Sequence, residues 1–151
     1  MRGSIVSVYA CLAVFLVAPA YAQGGVSPVG SVKIARGEAV VVRNGTVQPL
    51  RTGALIFEGD ALRTAADGSI GVILRDDTRL SLGPETEIRI DHFLFAPGEG
   101  KLSLVLRMLK GVAAYVSGKI GKLSPGSVHF ETPVATVGIR GTQFAAQVTA
   151  P

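Results

Sequence analysis

Residues 70–90 read Ile-Gly-Val-Ile-Leu-Arg-Asp-Asp-Thr-Arg-Leu-Ser-Leu-Gly-Pro-Glu-Thr-Glu-Ile-Arg-Ile. Three short apolar or alternating runs, at residues 70–74, 79–82 and 86–90, are separated by Asp76-Asp77 and Gly83-Pro84. Turn-forming pairs at this spacing leave no length for a helix, and alternation sends every second side chain to one face. The stretch predicts three strands joined by tight turns.

The pattern extends in both directions. Upstream, Val32-Lys33-Ile34 ends at Gly37-Glu38, and residues 39–43 meet Asn44-Gly45 before Thr46-Val47-Gln48 returns. Asn-Gly is the strongest short hairpin signal, because both central residues of a type I′ turn need positive φ. Leu55-Ile56-Phe57 leads into Glu58-Gly59-Asp60, where Gly59 supplies backbone freedom and the Asp60 carboxylate closes an Asx-type turn, and then into residues 61–64. Asp67-Gly68 marks a further turn.

Downstream, residues 102–109 fit both a helical stripe (Leu102, Val105, Leu106, Leu109) and a strand face (Leu102, Leu104, Leu106, Met108). Their neighbours favour a strand, since Gly111 is expected to break the segment and Val112 to Val116 continues with β-formers. Ala96-Pro97-Gly98-Glu99-Gly100 reads as the preceding loop. Near the end, two strands are expected to meet around Thr132-Pro133. In the second, Ala135, Val137 and Ile139 would share one face and Thr136, Gly138 and Arg140 the other, with a bulge at Gly141 re-aiming Thr142 and Phe144. The fold class is therefore all-β: a single domain of short strands, solenoid-like or sandwich-like, with an open barrel as the remaining arrangement, and with no helical interval.

The first residues differ in kind. Arg2 supplies a positive start, residues 5–18 are almost uninterruptedly apolar, and Pro19 precedes Ala20-Tyr21-Ala22, an A-x-A pattern suited to signal peptidase. Residues 1–22 are read as a cleavable signal peptide, 23–29 as a short linker and 30–148 as the β domain. The apolar run is shorter than the ~20 residues that span a membrane, so no stable span is expected after cleavage. The one cysteine of the chain, Cys11, lies inside this leader. Disulfides, thiol chemistry and cysteine-based zinc sites are thereby excluded from the domain. The predicted location is periplasmic or secreted.

The formal net charge is +4 over 151 residues, spread thinly. Arginines recur singly between apolar residues at Arg36, Arg43, Arg63, Arg75, Arg89 and Arg107, which suits the wet face of strands and not a nucleic-acid interface. No nucleic-acid partner is expected.

Several of these elements together resemble the FecR domain of bacterial periplasmic proteins. The residues that carry the resemblance are Gly30-Ser31-Val32, Gly59-Asp60 followed by Arg63-Thr64, Leu80-Ser81-Leu82-Gly83-Pro84, and the closing Thr132-Pro133-Val134-Ala135-Thr136-Val137-Gly138-Ile139-Arg140-Gly141-Thr142. The resemblance implies a β-rich envelope module, solenoid-like in the family's better understood members. In iron-uptake regulators it helps relay transporter occupancy to a cytoplasmic sigma factor. Those regulators carry a cytoplasmic segment and a membrane helix ahead of the domain and a further region behind it. Here a signal peptide stands in front and little follows Thr142, so a stand-alone envelope module is expected. The family pattern has glycine at the middle of Asp76-Asp77-Thr78, and Asp tolerates the positive φ that this turn would require.

No catalytic constellation is found. G-x-S-x-G and H-E-x-x-H are missing, Ser117-Gly118-Lys119 lacks the spacing of a phosphate loop, and His92 and His129 have no second ligand type at metal spacing. The acids Glu58, Asp60, Asp76 and Asp77 fall at turns, where acids are expected for conformational reasons. Arg140, between Gly138 and Gly141, has room to meet a carboxylate, a phosphate or a row of carbonyls; a structural role on carbonyls or on Asp60 is the favoured reading. The signature residues Gly59, Asp60, Thr132, Pro133, Gly138, Arg140, Gly141 and Thr142 are accordingly assigned to structure. The chain is expected to be a non-enzymatic, cofactor-free regulatory or protein-binding module with an envelope protein as partner. An envelope carbohydrate- or polymer-binding module is the alternative.

Overall fold

The computed structural model describes residues 25–140 and 143–149. The expected leader at residues 1–22 lies outside them, as do Gly141 and Thr142. The first half of the chain forms β1 (Gly30–Arg36), β2 (Ala39–Arg43), β3 (Thr46–Pro49), β4 (Leu55–Ile56), β5 (Ala61–Thr64) and β6 (Ser69–Leu74). It is followed by β7 (Arg79–Leu82), β8 (Glu87–Ala96), β9 (Lys101–Val116), a short helix α1 (Lys119–Leu123), β10 (Val128–Glu131), β11 (Thr136–Gly138) and β12 (Gln143–Val148). Among the described residues no helix is long and apolar enough to cross a membrane.

Residues 70–90 fold as their pattern demands. Ile70, Val72 and Leu74 of β6, Leu80 and Leu82 of β7, and Ile88 and Ile90 of β8 all point into the core while their neighbours face out. Each such side chain contributes roughly 1.5–3 kcal/mol when fully buried. The Asn44-Gly45 hairpin forms with both residues at positive φ, 50° and 77°, and pairs Arg43 with Thr46. Asp77 takes φ 68°, as its place in the turn requires.

The strands make one curled, largely antiparallel sheet in two halves that share β9. One half runs β4-β1-β6-β7 to the C-terminal part of β9, where β12 also docks. The other runs β3-β2-β5-β8 to the N-terminal part of β9, continued by β10 and β11. A single core lies inside the curl, with Ile56, Leu62, Leu106, Met108, Tyr115 and Phe130 among its fully buried side chains. An antiparallel sheet curled around one core is a half-barrel, all-β and single-domain as expected, and neither a two-sheet sandwich nor a solenoid. A solenoid would stack parallel rungs, and the only parallel pairing among the described strands is β10 with β9.

Three expectations need correction. Residues 102–109 are strand, but Gly111 does not end it: β9 continues to Val116 with Gly111 at φ 98° as the bend between the half-sheets. A Cβ at Gly111 would overlap the Thr86 backbone and hydroxyl. The all-strand reading also missed α1. Gly121 inside this five-residue helix and Gly118 at its N-cap give it poor helix propensity, and it is held instead by burial of Ile120 and by a hydrogen bond from the Ile120 N–H to the Asp76 carboxylate at 3.2 Å. Finally, the strand after Pro133 is only three residues long; Ile139 turns inward past its end and is buried, whereas Val137 is exposed.

Thr64 and Thr86 fasten the bend. The Thr64 hydroxyl donates to the Gly83 carbonyl (2.6 Å) and accepts from the Thr86 N–H (2.9 Å). The Thr86 hydroxyl donates to the Val112 carbonyl (3.0 Å) and accepts from the Val112 N–H (2.9 Å). The Val112 carbonyl also accepts from the Gly83 N–H (2.8 Å), so a side chain and a neighbouring loop together pair the kinked backbone of β9.

Gly111→Ala is expected to destabilise the domain by ~3 kcal/mol or more, because strain at positive φ adds to the clash with Thr86. Gly98→Ala, in open space, is expected to change stability by less than ~0.5 kcal/mol. Chemical denaturation of both variants checks this. A second expectation concerns Tyr115, whose phenol burial pushes above its ordinary pKa of 10.0. Its folded value exceeds its unfolded one, so the associated stability is complete below the unfolded pKa and is lost as pH rises through the folded one. Tyr115→Phe is expected to flatten the alkaline fall in stability above pH ~10, read from urea midpoints across that range. Tyr9 and Tyr21 are absent from a chain beginning at residue 23, so they do not confuse the comparison there.

Candidate functional site

The turn acids are each occupied within the fold. Asp60 is fully buried, and its carboxylate takes a two-pronged contact from Arg43, Nε to Oδ1 at 2.8 Å and Nη2 to Oδ2 at 2.7 Å. The Phe57 N–H donates to Oδ2 at 2.9 Å, closing the Asx-type turn around Gly59 (φ 86°). The guanidinium also donates to the Leu55 carbonyl and lies 4.4 Å from the centre of the Phe57 ring. Hydrogen bonding to Asp60 raises the Arg43 pKa. This cluster joins the β2–β3 hairpin to the loop that carries β4. Asp60 is therefore the partner of Arg43, and its proposed pairing with Arg140 is replaced.

Asp76 is likewise fully buried. Its carboxylate accepts from the Thr78 N–H (3.1 Å), the Thr78 hydroxyl (2.7 Å) and the Ile120 N–H, while its carbonyl accepts from the Lys119 N–H (2.6 Å). Neighbouring Asp77 is exposed and pairs with Lys119 at 2.9 Å, which lowers its pKa. Glu58 meets His92 Nδ1 at 3.2 Å and the Phe93 N–H at 2.9 Å. These arrangements fix turns and a helix start; they leave no convergent carboxylate pair for acid–base work.

The closing signature sits elsewhere, on the β10–β11 hairpin. Thr132 shapes its turn: the hydroxyl donates to the Ala135 carbonyl (3.0 Å) and accepts from the Ala135 N–H (3.1 Å). Pro133 and Val134 form the tip, and Val134 is 92% exposed. The whole of β11 is exposed, and among the described strands it pairs only with β10. The structure thus divides the signature residues. Gly59 and Asp60 lie in the Arg43 cluster, whereas Thr132, Pro133, Gly138 and Arg140 are brought together at the hairpin.

Beside this hairpin is a cleft of about 760 Å³. Ser117 lies at its base, α1 and the turn that follows it form one wall, and the start of β10 with residues 138–140 forms the other. Lys122, His129 and Arg140 line it together with the apolar Val128 and Ile139, and no acid is among the lining residues. A Cβ built on Gly126 or Gly138 meets nothing within 4 Å, so both glycines open onto free space. Sequence reasoning singled out Arg140 and missed Lys122 and His129 as its companions. They converge through the parallel docking of β10 on β9 and the fold of residues 117–127, which no local pattern encodes.

A family model described as FecR protein matches residues 60–150. No curated protein and no solved structure matches. The match starts at Asp60, downstream of the expected opening at Gly30-Ser31-Val32 and of Gly59, yet β1 to β4 belong to the same packed body: Val32, Val41 and Ile56 are core residues, and β1 lies between β4 and β6.

Two substitutions separate the halves of the signature. Asp60→Ala is expected to cost roughly 2–3 kcal/mol, below the range for fully buried pairs because Arg43 keeps access to solvent. Arg140→Ala, at an exposed position, is expected to leave the melting temperature nearly unchanged, within about 0.5 kcal/mol of stability. Thermal denaturation of the two variants checks both.

Proposed function

The chain belongs to the FecR family, and we propose that it is a non-catalytic regulatory module of the bacterial envelope that works by binding another protein. In this reading residues 1–22 are the signal peptide that delivers it, residues 30–148 act as the domain in the periplasm, and the signature residues at the β10–β11 hairpin form the face offered to the partner.

One observation carries the reading. The most specific part of the family signature, residues 132–140, contributes little to the core: Val134, Thr136, Val137 and Gly138 are exposed, and only Ile139 is buried. Packing therefore leaves most of the motif unexplained, and exposed residues on a hairpin held by a rigid sheet suit recognition. An open strand edge carrying Val137, next to a hairpin tip that exposes Val134, is the kind of surface that an added strand or an apolar patch covers.

The polymer-binding alternative lacks comparable support. Sugar faces pack well on exposed aromatic rings, and each aromatic residue of the described part is buried or half-buried, with Phe57 under Arg43 and Phe144 against Tyr115 and Phe130.

Affinity capture from envelope extracts tests the proposal. The domain is expected to retain a specific protein, and Val134→Asp combined with Val137→Asp is expected to abolish retention without changing the melting temperature. Capture of no specific protein across growth conditions would sink the reading.

A further inference from the structure

We propose that the outer edge of β12 docks a second copy of this chain, the two β12 strands pairing antiparallel about a two-fold axis at Ala145. This surface is distinct from the β10–β11 hairpin that carries the protein-binding reading.

The direction of the peptide groups identifies the edge. Val112 turns its carbonyl to the Gly83 N–H and both of its backbone polar groups to the Thr86 hydroxyl. Peptide groups alternate in direction along a strand, so those of Gly111, Ala113 and Tyr115 face the other way, toward their β12 partners Val148, Ala146 and Phe144. The N–H and C=O groups of Gln143, Ala145 and Gln147 are thereby left pointing away from β9, and among the described strands β12 pairs with β9 alone.

This edge lacks the usual protection. Natural sheets blunt their edges with short strands, proline or charge. Of the other outer strands, β3 ends on Pro49, β4 has two residues and β11 has three. β12 runs for six residues, Gln-Phe-Ala-Ala-Gln-Val, with neither a proline nor a charge. Its core-facing side chains Phe144, Ala146 and Val148 are only half-buried, whereas those of the interior strands β6 and β7 are buried. The core is open along β12, and one more strand would cover it.

The sequence of β12 selects its own copy as that strand. With Ala145 opposite Ala145 of the second copy, Gln143 stands opposite Gln147 on the outer face, where their amides bond across the axis. On the core face Phe144 stands opposite Ala146, large against small. The free peptide groups of Gln143, Ala145 and Gln147 fall at the hydrogen-bonded positions and supply about six main-chain bonds. The Phe144–Ala146 pairs take the closer, non-hydrogen-bonded positions, where two large side chains would crowd each other. No charge meets a like charge in this register. A strand pairing of this length buries less than the ~1,600 Å² of a standard stable interface, so the dissociation constant is expected at roughly 10–100 μM.

Sedimentation equilibrium of the chain beginning at residue 23, from about 1 to 500 μM so as to bracket that constant, tests the proposal. A monomer–dimer equilibrium is expected. Ala145→Lys and Ala145→Glu, at an exposed position, each set like charges face to face on the axis and are expected to weaken association by about tenfold or more without changing the melting temperature. Mixing the two variants in equal amounts is expected to restore association as a Lys–Glu heterodimer. Val134→Asp combined with Val137→Asp, on the hairpin, is expected to leave the dimer unchanged.

A monomer at every concentration, a dimer indifferent to Ala145→Lys, or a mixture of the two charged variants that stays monomeric would each overturn the proposal. So would a monomeric chain that captures another protein and loses it on Ala145→Lys, since the edge would then serve a foreign strand. Capture of a protein by the intact hairpin is a separate measurement, and the wider reading stands or falls on it alone.

Discussion

Everything in this fold is hung on the bend at Gly111. A sixteen-residue strand lying flat would belong to one sheet and leave the other half of the molecule without a central member. The positive φ at Gly111 redirects it, so that its first part pairs with β8 and β10 and its second with β7 and β12. A bend of this kind takes backbone donors and acceptors out of the ladder, and a buried group left unpaired costs about 1–3 kcal/mol. At Val112 the Thr86 hydroxyl bonds both backbone polar groups, beside the Gly83 N–H on the same carbonyl, and Thr64 in turn holds Thr86. Two small polar residues and one glycine therefore decide whether the halves close on a shared core.

The buried carboxylates follow the same logic at the next level out. Asp60 and Asp76 each lie at zero exposure and each gather loop groups that would otherwise have no partner. They differ in how charge is balanced. Asp60 has the guanidinium of Arg43, a permanent cation; Asp76 is surrounded by N–H and hydroxyl donors and is tied to α1 through main-chain contacts. Both are read from sequence as turn residues, and both are, but each also acts over long range. That reach fixes where α1 lies, and with it one wall of the cleft.

What the sequence made legible was local. The Asn44-Gly45 hairpin, the alternating strands of residues 70–90, the Asx-type turn at Asp60 and the turn at Thr132-Pro133 all follow from side-chain period and from residues with unusual backbone freedom. Misreadings arose where a distant group decided the outcome. Gly111 looks like a terminator because its relation to Thr86 is tertiary, α1 looks like loop because its support comes from Asp76, and Arg140 looked like a partner for Asp60 because nothing nearby in sequence reveals that Arg43 already holds it. The candidate site was half legible for the same reason: its signature strand can be recognised, but Lys122 and His129 join it only after β10 docks in parallel beside β9.

The position of β9 in the chain has a kinetic side. Its neighbours come both from before it, β7 and β8, and from after it, β10 and β12. Phe144 of β12 then packs against both Tyr115 and Phe130, 5.1 Å from each ring centre. A chain emerging N-terminus first, from a ribosome or through a translocation channel, can form the early hairpins but cannot complete its interior until almost the last strand has appeared. Such an order favours a loosely structured intermediate and a late, concerted closure.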